Sequence, residues 1–501
     1  MRVPFLAVWA SVLALTAGAQ GPVVDFPEIG RVRPRDAKAV GRSNWVIGCE
    51  TLDRDFIDFA QYREHVAPLG IKLARLQGGW AKCEREKGRY DFRWLDEIVD
   101  YLGARGVQCA IETSYGNPIY PDGGGWDLAG GFPTGEEALK AWDAWVDALT
   151  RHFAGRVKTW LMWNEPDIGL PKKTPEMIAA FNVRTARIVR RNVPGATIAG
   201  LSLAFNDAAF LESCLRPMGA DVALFDSFIY HGYDVAPELS YAEVERQKAV
   251  LAKYSPKATL WQGENGAPSE MTFCFALSRI AWSEVSQAKW DMRRMLGDLG
   301  HDVRSSVFTI CDFNHRGKEM NLKGLLRANE ENEMIGKKLA YDAVRNVAAV
   351  FDDTLTRVKD SGFVRGFGTK DRSLSTYHYV SAEGDPVFVF WTHGGDYPKT
   401  DHGKQGPDGE GEWAYRYTRP GDSFETRPAT FRYTGGKPLE DPVWVDLLTG
   451  GIYAFPKDAQ LVSGKSIRFV RVPVYDSPCL LTERRMLIKW CAKASLAELV
   501  E

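Results

Sequence analysis

The sequence carries almost no net charge and shows no cysteine spacing typical of a metal site. Its 63 Lys and Arg residues nearly balance 65 Asp and Glu residues, which leaves a formal net charge of −2 at pH 7. Such a chain lacks the basic surface that a nucleic-acid partner requires. The eight cysteines are scattered, without a Cys-x-x-Cys pair or a metal-ligand spacing. Three of them fall on predicted strands, which favours buried thiols over disulfides: Cys49, Cys109 and Cys311.

Long apolar runs are also missing beyond the first 20 residues. Residues 1–19 contain Arg2, then an apolar run over 3–15, then the small residues 17–19. This order is typical of a secretory signal peptide that is cleaved after residue 19. A membrane anchor is the alternative, but the run is shorter than the roughly 20 residues that a spanning helix needs. We therefore expect a secreted or periplasmic protein without a membrane span.

The pattern of apolar residues predicts two domains. A chain of 501 residues with 45 % hydrophobic content can bury a large core. From Trp45 onward, short β-rich runs alternate with helical patterns, which indicates a parallel sheet with crossover helices. Beyond Phe351, short alternating strands replace the helical periodicity. We therefore predict an α/β fold, a (β/α)8 TIM barrel followed by a C-terminal antiparallel β-sandwich.

The predicted boundaries follow from this change of pattern. The signal peptide is assigned to 1–19, the barrel to 20–351, the accessory sandwich to 352–485 and a helical tail of unknown role to 486–501. The predicted barrel strands are 46–49, 73–77, 107–113, 159–163, 197–201, 224–230, 259–263 and 306–310. The predicted sandwich strands are 375–380, 387–391, 429–433, 443–447 and 467–474. Residues 392–422, rich in Gly, Asp and Lys, are predicted to form a long exposed loop.

Two predicted barrel strands end in a carboxylate. The segment 158–169, KTWLMWNEPDIG, is an apolar run that reaches Glu165, and the next residue is a proline, which cannot donate to a sheet ladder. The segment 258–264, ATLWQGE, closes on Glu264 in the same way. A single glutamate is more often a solvated surface group. Two at the carboxyl ends of barrel strands, however, face each other where barrel enzymes keep their catalytic groups.

The two strand ends carry a family resemblance. The tetrapeptides WNEP at 163–166 and WQGE at 261–264 resemble the acid/base and nucleophile motifs of the retaining glycoside hydrolases of clan A. Residues 45–350 are most similar to family 39 and its unassigned relatives. The resemblance implies a retaining β-glycoside hydrolase that cleaves O-glycosidic bonds of oligo- or polysaccharides, with Glu165 as acid/base and Glu264 as nucleophile. Asn164 would hydrogen-bond the sugar 2-hydroxyl, and no metal or other cofactor is needed.

Further site candidates lie at other strand ends. Arg75 sits inside an apolar strand, where it is either a structural ion-pair member or, as the resemblance implies, the charge beneath the nucleophile. The histidine and tyrosine of the segment 231–233 are two residues apart, so His231 and Tyr233 can point to the same side of a continuing strand. The resemblance puts the histidine over the substrate and the tyrosine hydroxyl on the nucleophile. A purely structural histidine is the alternative.

Aromatic and amide side chains near the barrel mouth are candidates for sugar binding. Trp80 is either a stacking platform or a core residue. Tyr115, Asn117 and Trp126 belong to a long loop after the third strand, on the face where barrel loops build substrate sites. Several clan members carry a tryptophan after the last strand and this chain has none there, so Phe313 or Trp261 is expected to take its place.

Three functional readings remain open from the sequence. Within enzymes, an exo-acting activity of the xylosidase or iduronidase kind competes with an endo-glycanase. The alternative from another class is a catalytically inactive barrel that only binds carbohydrate. The presence of both carboxylates and of Tyr233 argues against it, because a binding module does not need the pair.

Overall fold

A computed structural model describes residues 21–169, 171–315, 319–366, 374–393 and 422–490. The predicted signal peptide, nearly all of the predicted loop at 392–422 and the end of the predicted tail lie outside the described residues. Across the described ranges, none of the helices combines the length and the apolar character needed to cross a bilayer.

Eight parallel strands form a closed barrel. Strands are numbered along the chain, and β1 (Glu28–Arg31) lies outside the barrel. The barrel closes because β2 and β9 pair in parallel, and it consists of β2 (Trp45–Gly48), β3 (Leu73–Gln77), β4 (Gln108–Glu112), β5 (Thr159–Leu161), β6 (Thr197–Leu203), β7 (Ser227–Tyr230), β8 (Thr259–Gln262) and β9 (Arg304–Val307). Each predicted barrel strand overlaps one of these, and the barrel prediction is confirmed.

The crossover helices surround the barrel. They are α1 (Phe59–Tyr62), α2 (Trp80–Cys83), α3 (Arg93–Gly103), α4 (Glu136–Phe153), α5 (Pro175–Asn192), α6 (Ala208–Met218), α7 (Tyr241–Tyr254), α8 (Glu284–Gly300) and α9 (Leu339–Val350). Helix α4 shows why they form, since its apolar residues recur at three and four and are buried as one face, among them Trp142, Trp145 and Leu149.

Two short hairpins follow the last barrel strand. The first joins β10 (Phe313–Asn314) to β11 (Met320–Asn321), and the second joins β12 (Leu326–Ala328) to β13 (Met334–Lys337). They come from the carboxyl end of β9, so they cover the face of the barrel where the strands end. Side chains from this region therefore reach the mouth of the barrel.

The remaining strands form two packed antiparallel sheets. The larger has seven strands in the order β1-β20-β19-β23-β17-β16-β14, and the smaller has four in the order β15-β18-β22-β21. Their bounds are β14 (Leu355–Arg357), β15 (Phe363–Arg365), β16 (Leu374–Ser381), β17 (Pro386–Thr392), β18 (Arg427–Thr434), β19 (Pro442–Asp446), β20 (Gly451–Ala454), β21 (Gln460–Ser463), β22 (Ser466–Val474) and β23 (Cys479–Glu483). Buried aromatic side chains from both sheets fill the space between them, including Phe388, Phe431 and Phe469. The predicted sandwich is confirmed.

One predicted boundary is wrong. Strand β1 pairs with β20, so residues near the start of the described chain belong to the sandwich sheet and not to the barrel. The partner strands lie more than 400 residues apart in the chain, and no local pattern in the short segment EIGR reveals this pairing. At the other end, the chain continues from β23 into the short helix α10 (Arg484–Trp490).

The buried cysteines of the described chain are free thiols. Cys49, Cys109 and Cys311 are buried, as predicted, and Cys83, Cys214 and Cys479 are buried as well. Cys274 is exposed. Among the described residues the structure is therefore stabilised by packing and hydrogen bonds rather than by disulfides.

Helix α8 connects the two domains. Of its 17 residues, 14 are buried, which a helix shows when it is covered on all sides. Lys289 of this helix donates a hydrogen bond of 2.6 Å to Asp476 Oδ1 in the sandwich. A second bond between the domains runs from the indole nitrogen of Trp391 in the sandwich to Glu238 at the barrel, also at 2.6 Å. Polar groups that are buried in this way need their partners from the other domain.

We expect deletion of residues 352–501 to produce an aggregated barrel. The deletion uncovers α8, leaves the ammonium of Lys289 without Asp476, and removes the strand with which β1 pairs. Light scattering and size-exclusion chromatography of the truncated protein check this. Co-expression of the two pieces is the control, because re-association should restore the soluble form. A soluble and fully active barrel would show that the sandwich is not needed as a brace.

Candidate active site

Glu165 is held in an unusual backbone conformation at the end of β5. Its φ of 46° lies in the left-handed region, which costs a non-glycine residue on the order of 1 kcal/mol. The backbone is fixed there because the Glu165 N–H donates to the carbonyl of Ser202 at 2.9 Å, and Pro166 follows. Strain of this kind concentrates at functional sites. The conformation presents the half-buried carboxylate to the barrel mouth.

Glu264 follows β8 after a glycine that no other residue can replace easily. A Cβ on Gly263 would lie 2.3 Å from a methyl carbon of Ile229, so the strand end packs tightly. The two oxygens of Glu264 have different partners. Oε2 accepts from Nη1 of Arg75 at 3.0 Å, and Oε1 accepts from the hydroxyl of Tyr233 at 3.0 Å.

The two glutamates face each other across the barrel mouth. Nδ1 of His231 lies 2.8 Å from Oε1 of Glu165 and 3.7 Å from Oε2 of Glu264. An oxygen of each carboxylate and a nitrogen of His231 all lie within 4.8 Å of one another. The tertiary structure therefore brings together the two carboxylates that the strand-end pattern singled out.

Arg75 is the centre of a buried charge network beneath the pair. Its side chain is 0 % exposed. Nη1 donates to Glu50 Oε1 at 3.0 Å, besides Glu264, and Nη2 donates to Glu112 Oε2 and Asn164 Oδ1, each at 2.6 Å. Arg75 is thus both a structural ion-pair member and the charge beneath Glu264. Arg75 does not line the cleft, so it acts by positioning its partners.

The surroundings set the ionisation of the carboxylate and imidazole groups. Burial on its own raises the pKa of Glu264, but the charges of His231 and Arg75 outweigh it and hold that pKa below its usual range. For His231, burial favours the neutral ring, and Glu264 and Glu165 outweigh it, so its pKa is raised. Burial and the nearby Glu264 raise the pKa of the Tyr233 hydroxyl well above its usual value. Glu264 is therefore an ionised carboxylate held by donors, as a nucleophile requires.

His231 does not lie over a substrate cavity. It is fully buried beneath Glu165, and its Nε2 has no hydrogen-bond partner in the described part of the chain. The prediction of a histidine over the substrate is wrong. The prediction fails because β7 ends at Tyr230 and the N–H of His231 then donates to the carbonyl of Leu203. The imidazole ring therefore points inward to the carboxylate pair. The Tyr233 hydroxyl donates to Glu264, which is the contact that the resemblance implied.

Asn164 and Tyr115 form a connected pair at the floor of the cleft. Nδ2 of Asn164 donates to the Tyr115 hydroxyl at 2.8 Å, and that hydroxyl also accepts from Gln77 Nε2 at 3.2 Å. Both residues line the cleft. The Asn164 amide keeps a second N–H, and this group is placed to donate to a sugar hydroxyl.

Trp80 belongs to the core. Gly79, at φ +61°, turns the chain into α2 so that Trp80 is 0 % exposed. Its ring stacks on Tyr120, with centroids 5.5 Å apart, and on Trp145 at 6.0 Å. The prediction of a sugar-stacking platform at Trp80 is wrong, because neighbouring aromatic rings already cover it.

Two other candidates are also buried away from the cleft. Asn117 is fully buried, and its Nδ2 donates to the carbonyl of Glu84 at 2.8 Å, which stabilises the loop itself. Trp261 points into the barrel interior, where its indole nitrogen donates to Ser306 Oγ at 2.8 Å. Neither can touch a sugar, so both binding predictions are wrong. Inward and outward positions alternate along a strand, and composition does not reveal which is which.

The cleft has a volume of about 640 Å³ and an aromatic wall. Phe313, expected to replace the missing tryptophan, lines it together with Phe308, and Phe205 stands on its rim with 62 % of its surface exposed. Trp126 lines a side pocket that shares Arg54 and Tyr115 with the cleft. Phe205 is exposed enough to stack on a sugar ring, whereas Phe308 and Phe313 are 7 % and 3 % exposed and pack against each other.

Glu50 is a site residue that the sequence reasoning missed. It follows β2, lines the cleft and bonds Arg75, and its other oxygen, Oε2, has no partner among the described residues. Burial raises its pKa to about 8, although Arg75 opposes this. The available signal was the one used for Glu165 and Glu264, a carboxylate directly after a strand.

The raised pKa of Glu50 predicts a loss of stability with increasing pH. The unfolded chain releases this proton near the ordinary value of 4.5, whereas the folded protein keeps it to about 8. The stabilising contribution is therefore complete below about 4.5 and is lost as the pH rises through 8, by an amount on the order of a few kcal/mol. The amide of Glu50→Gln has the shape of the carboxyl group but cannot release a proton in this pH range. We expect its melting temperature to fall less than that of the wild type between pH 5 and 9.

Calorimetry at several pH values measures this difference. Glu137→Gln, at a glutamate whose side chain is 60 % exposed, is the matched control and should follow the wild type. Parallel curves for wild type and Glu50→Gln would contradict the assignment of a protonated Glu50.

Glu165, His231 and Glu264 are also the group whose spacing could hold a metal ion among the described residues. Their ligand atoms are engaged by one another, by Arg75 and by Tyr233. With these bonds the three groups need no metal ion to hold them together, and a cofactor-free reaction remains our prediction.

Comparison with known sequences gives short matches. A glycoside hydrolase family 42 model, described as β-galactosidase, matches residues 59–121. A β-galactosidase from Clostridium cellulovorans is 33 % identical over 61 residues, which is 11 % of this chain and 9 % of that protein. A β-galactosidase from Bifidobacterium bifidum is 34 % identical over 67 residues, which is 12 % of this chain and 10 % of that protein. The matches span only about a tenth of the length of these relatives.

Comparison with solved structures covers most of the chain. A family 39 glycoside hydrolase from Bacteroides cellulosilyticus WH2 aligns with a TM-score of 0.63 at 16 % identity, over 90 % of this chain and 82 % of that chain. A monomeric β-xylosidase from Caulobacter crescentus CB15 aligns with a TM-score of 0.54 at 16 % identity, over 90 % of this chain and 97 % of that chain. A family 30 endoxylanase from Clostridium papyrosolvens C71 aligns with a TM-score of 0.53 at 10 % identity, over 91 % of this chain and 97 % of that chain. The chain thus has the fold of these clan A structures, and the suspected resemblance is confirmed at the level of fold.

Proposed function

We propose that this protein is a retaining β-glycoside hydrolase that cleaves O-glycosidic bonds of carbohydrates by double displacement. The observation that carries the proposal is the pair Glu165 and Glu264, with oxygens within 4.8 Å of each other. Retaining enzymes place their carboxyl groups about 5 to 5.5 Å apart, whereas inverting enzymes need about 6.5 to 9.5 Å to admit a water between them. The observed spacing supports the retaining class.

In the first step, Glu165 protonates the glycosidic oxygen while Glu264 attacks the anomeric carbon. The bond to the leaving group breaks as the bond to Glu264 forms, which gives a covalent glycosyl-enzyme. Arg75 and Tyr233 support this step because they hold the attacking carboxylate in place and keep it ionised. Asn164 offers its free N–H to the sugar 2-hydroxyl, where hydrogen bonds strengthen in the transition state.

In the second step, Glu165 has lost its proton and acts as a base. It removes a proton from water, the water oxygen bonds the anomeric carbon, and Glu264 leaves as a carboxylate. His231 lies 2.8 Å from Glu165 and keeps this carboxylate oriented through both steps. The product has the same anomeric configuration as the substrate, and the enzyme returns to its starting state.

A panel of aryl β-glycosides and polysaccharides tests the proposal. Xylosides and galactosides correspond to the names of the relatives, and glucosides extend the panel. Product sizes over time separate exo from endo cleavage. Nuclear magnetic resonance of the first-formed product should show the β-anomer. An α-anomer would refute retention, and binding of sugars without any turnover would favour the inactive carbohydrate-binding barrel.

We also propose that the protein is exported. The order of charge, apolar run and small residues over 1–19 supports this proposal. Expression with this segment should release a protein that begins at Gln20, as mass spectrometry of the mature amino terminus can measure. A protein that stays inside the cells with residues 1–19 still attached would refute this proposal.

A further inference from the structure

A buried lysine faces the catalytic cleft without an acceptor for its charge. Lys323 lies between β11 and β12, is 2 % exposed and lines the cleft. Its carbonyl accepts from the N–H of Thr309 at 3.2 Å, and its Cβ would lie 3.7 Å from a Cβ added to Gly266. The backbone and the start of the side chain are therefore fixed between the segments that follow β8 and β9.

The ammonium group lies near two aromatic rings, and the charges of Glu264, Glu319 and Asp312 act on it without a bond to it. It lies 5.8 Å from the ring centre of Tyr233 and 5.7 Å from that of Phe275, and it makes no hydrogen bond or ion pair with the described residues. Two other lysines are equally buried, and both are fully paired. Lys338 donates to Asp312 Oδ1 at 2.7 Å and to two further oxygens, and Lys289 donates to Asp476 Oδ1 at 2.6 Å.

A buried ammonium without an acceptor is costly, so such groups are normally paired. Burial lowers the pKa of Lys323 to about 8, and the charge of Glu264 opposes this. The group is thus mainly protonated at neutral pH. The described residues bond Lys289 and Lys338 but not Lys323, and Lys323 lines the cleft, so a ligand in the cleft can supply its acceptor.

The position of Lys323 identifies which part of a substrate it meets. Tyr233 donates to Glu264, and Lys323 faces the ring of the same tyrosine. The lysine is therefore on the nucleophile side of the cleft, where the sugar that becomes bonded to Glu264 must lie. A substituent on that sugar comes within reach of the ammonium, whereas the leaving group lies on the side of Glu165.

We propose that Lys323 binds an anionic substituent, a carboxylate or a sulfate, on the sugar that Glu264 attacks, so that the preferred substrates are acidic glycosides. The inference rests on the proposed hydrolase function and specifies its substrate class. A charge-assisted hydrogen bond from a desolvated ammonium is stronger than one to a neutral hydroxyl. An anion in a cleft that already contains Glu165 and Glu264 would be repelled without a nearby cation. Lys323 supplies that cation.

Matched aryl glycosides test this proposal. The 4-nitrophenyl β-glucuronide, β-glucoside, 6-sulfo-β-glucoside and β-xyloside share one ring configuration and differ at carbon 6, and the galacturonide and galactoside form a second set. We expect the wild-type kcat/KM for one of the acidic substrates to exceed that of its neutral counterpart by about tenfold or more. Whether this substrate is a uronide or the 6-sulfo-glucoside shows whether Lys323 binds a carboxylate or a sulfate. Lys323→Met should raise KM for that acidic substrate by about 10- to 100-fold, the loss of one charge-assisted hydrogen bond, with little change for the neutral one. Lys323→Arg should restore much of the preference.

Binding measurements keep the proposal independent of turnover. Calorimetric titration with free glucuronate, galacturonate, glucose 6-sulfate and the neutral sugars needs no reaction. The acids should bind the wild type more tightly than Lys323→Met. Equal binding by both proteins, or a wild type that prefers neutral sugars, overturns the role of Lys323. If neutral glycosides are hydrolysed while the Lys323 variants show no acidic preference, the hydrolase function stands and only this inference fails.

Discussion

Replacement of Glu264 with alanine should abolish turnover of every glycoside, because no glycosyl-enzyme can form without the attacking carboxylate. We expect kcat to fall by more than about 100-fold, the lower end of what a positioned acid–base group contributes. Activated aryl glycosides should not escape, since a good leaving group does not replace the nucleophile. Added azide can enter the space left by Glu264 and attack directly, which should give a glycosyl azide of inverted configuration.

Glu264→Gln is the matched variant for structural damage. The amide oxygen can accept from Arg75 while the amide nitrogen donates to the Tyr233 hydroxyl, which can also accept, so the melting temperature should stay near that of the wild type while turnover is lost. Glu137→Gln, at an exposed glutamate outside the cleft, should retain turnover. Full activity in Glu264→Ala, or an azide product of retained configuration, would remove Glu264 from the role of nucleophile.

Replacement of Glu165 with alanine should separate the two chemical steps. Substrates with activated aryl leaving groups need little protonation, so they should still glycosylate Glu264, whereas poor leaving groups should lose about 100-fold or more in kcat/KM. Deglycosylation slows because water has lost its base. Azide needs no base, so it should accelerate this step and yield the β-glycosyl azide, with the configuration opposite to the product of Glu264→Ala.

A second carboxylate in the same loop provides the control for this experiment. Asp167 accepts from the N–H of Ala204 at 2.9 Å and takes no part in the close pair. Asp167→Asn should show no acceleration by azide, whatever its basal activity. Equal azide rescue in the two variants, or the same azide anomer from Glu165→Ala and Glu264→Ala, would show that the roles are assigned wrongly.

The barrel was predictable because its strands carry their signal locally. Strands of a parallel barrel are buried on both faces, so they read as short apolar runs, and β3 was predicted over the same residues that form it. The sandwich was predicted less completely. Strands such as β14 and β21 are short and largely polar at the edges of their sheets, and β1 finds its partner only through a contact between the two ends of the chain.

The close pair of glutamates was predictable for the same local reason. Strand β5 ends at Leu161 and β8 ends at Gln262, so Glu165 and Glu264 follow the same end of one barrel within a few residues. Parallel strands all point their carboxyl ends to one face. Residue type and strand order therefore fixed which groups meet, although they did not fix the distance between them.

Only the tertiary structure decided what each remaining side chain touches. Trp80 is covered by other rings and Phe205 is exposed on the cleft rim, although both are aromatic residues near strand ends. Glu50 joins the Arg75 network and Lys323 reaches the cleft from the far end of the barrel sequence. The physical reason is that strand position is encoded by neighbours in the sequence, whereas burial, ion pairing and pKa depend on groups that folding brings from distant parts of the chain.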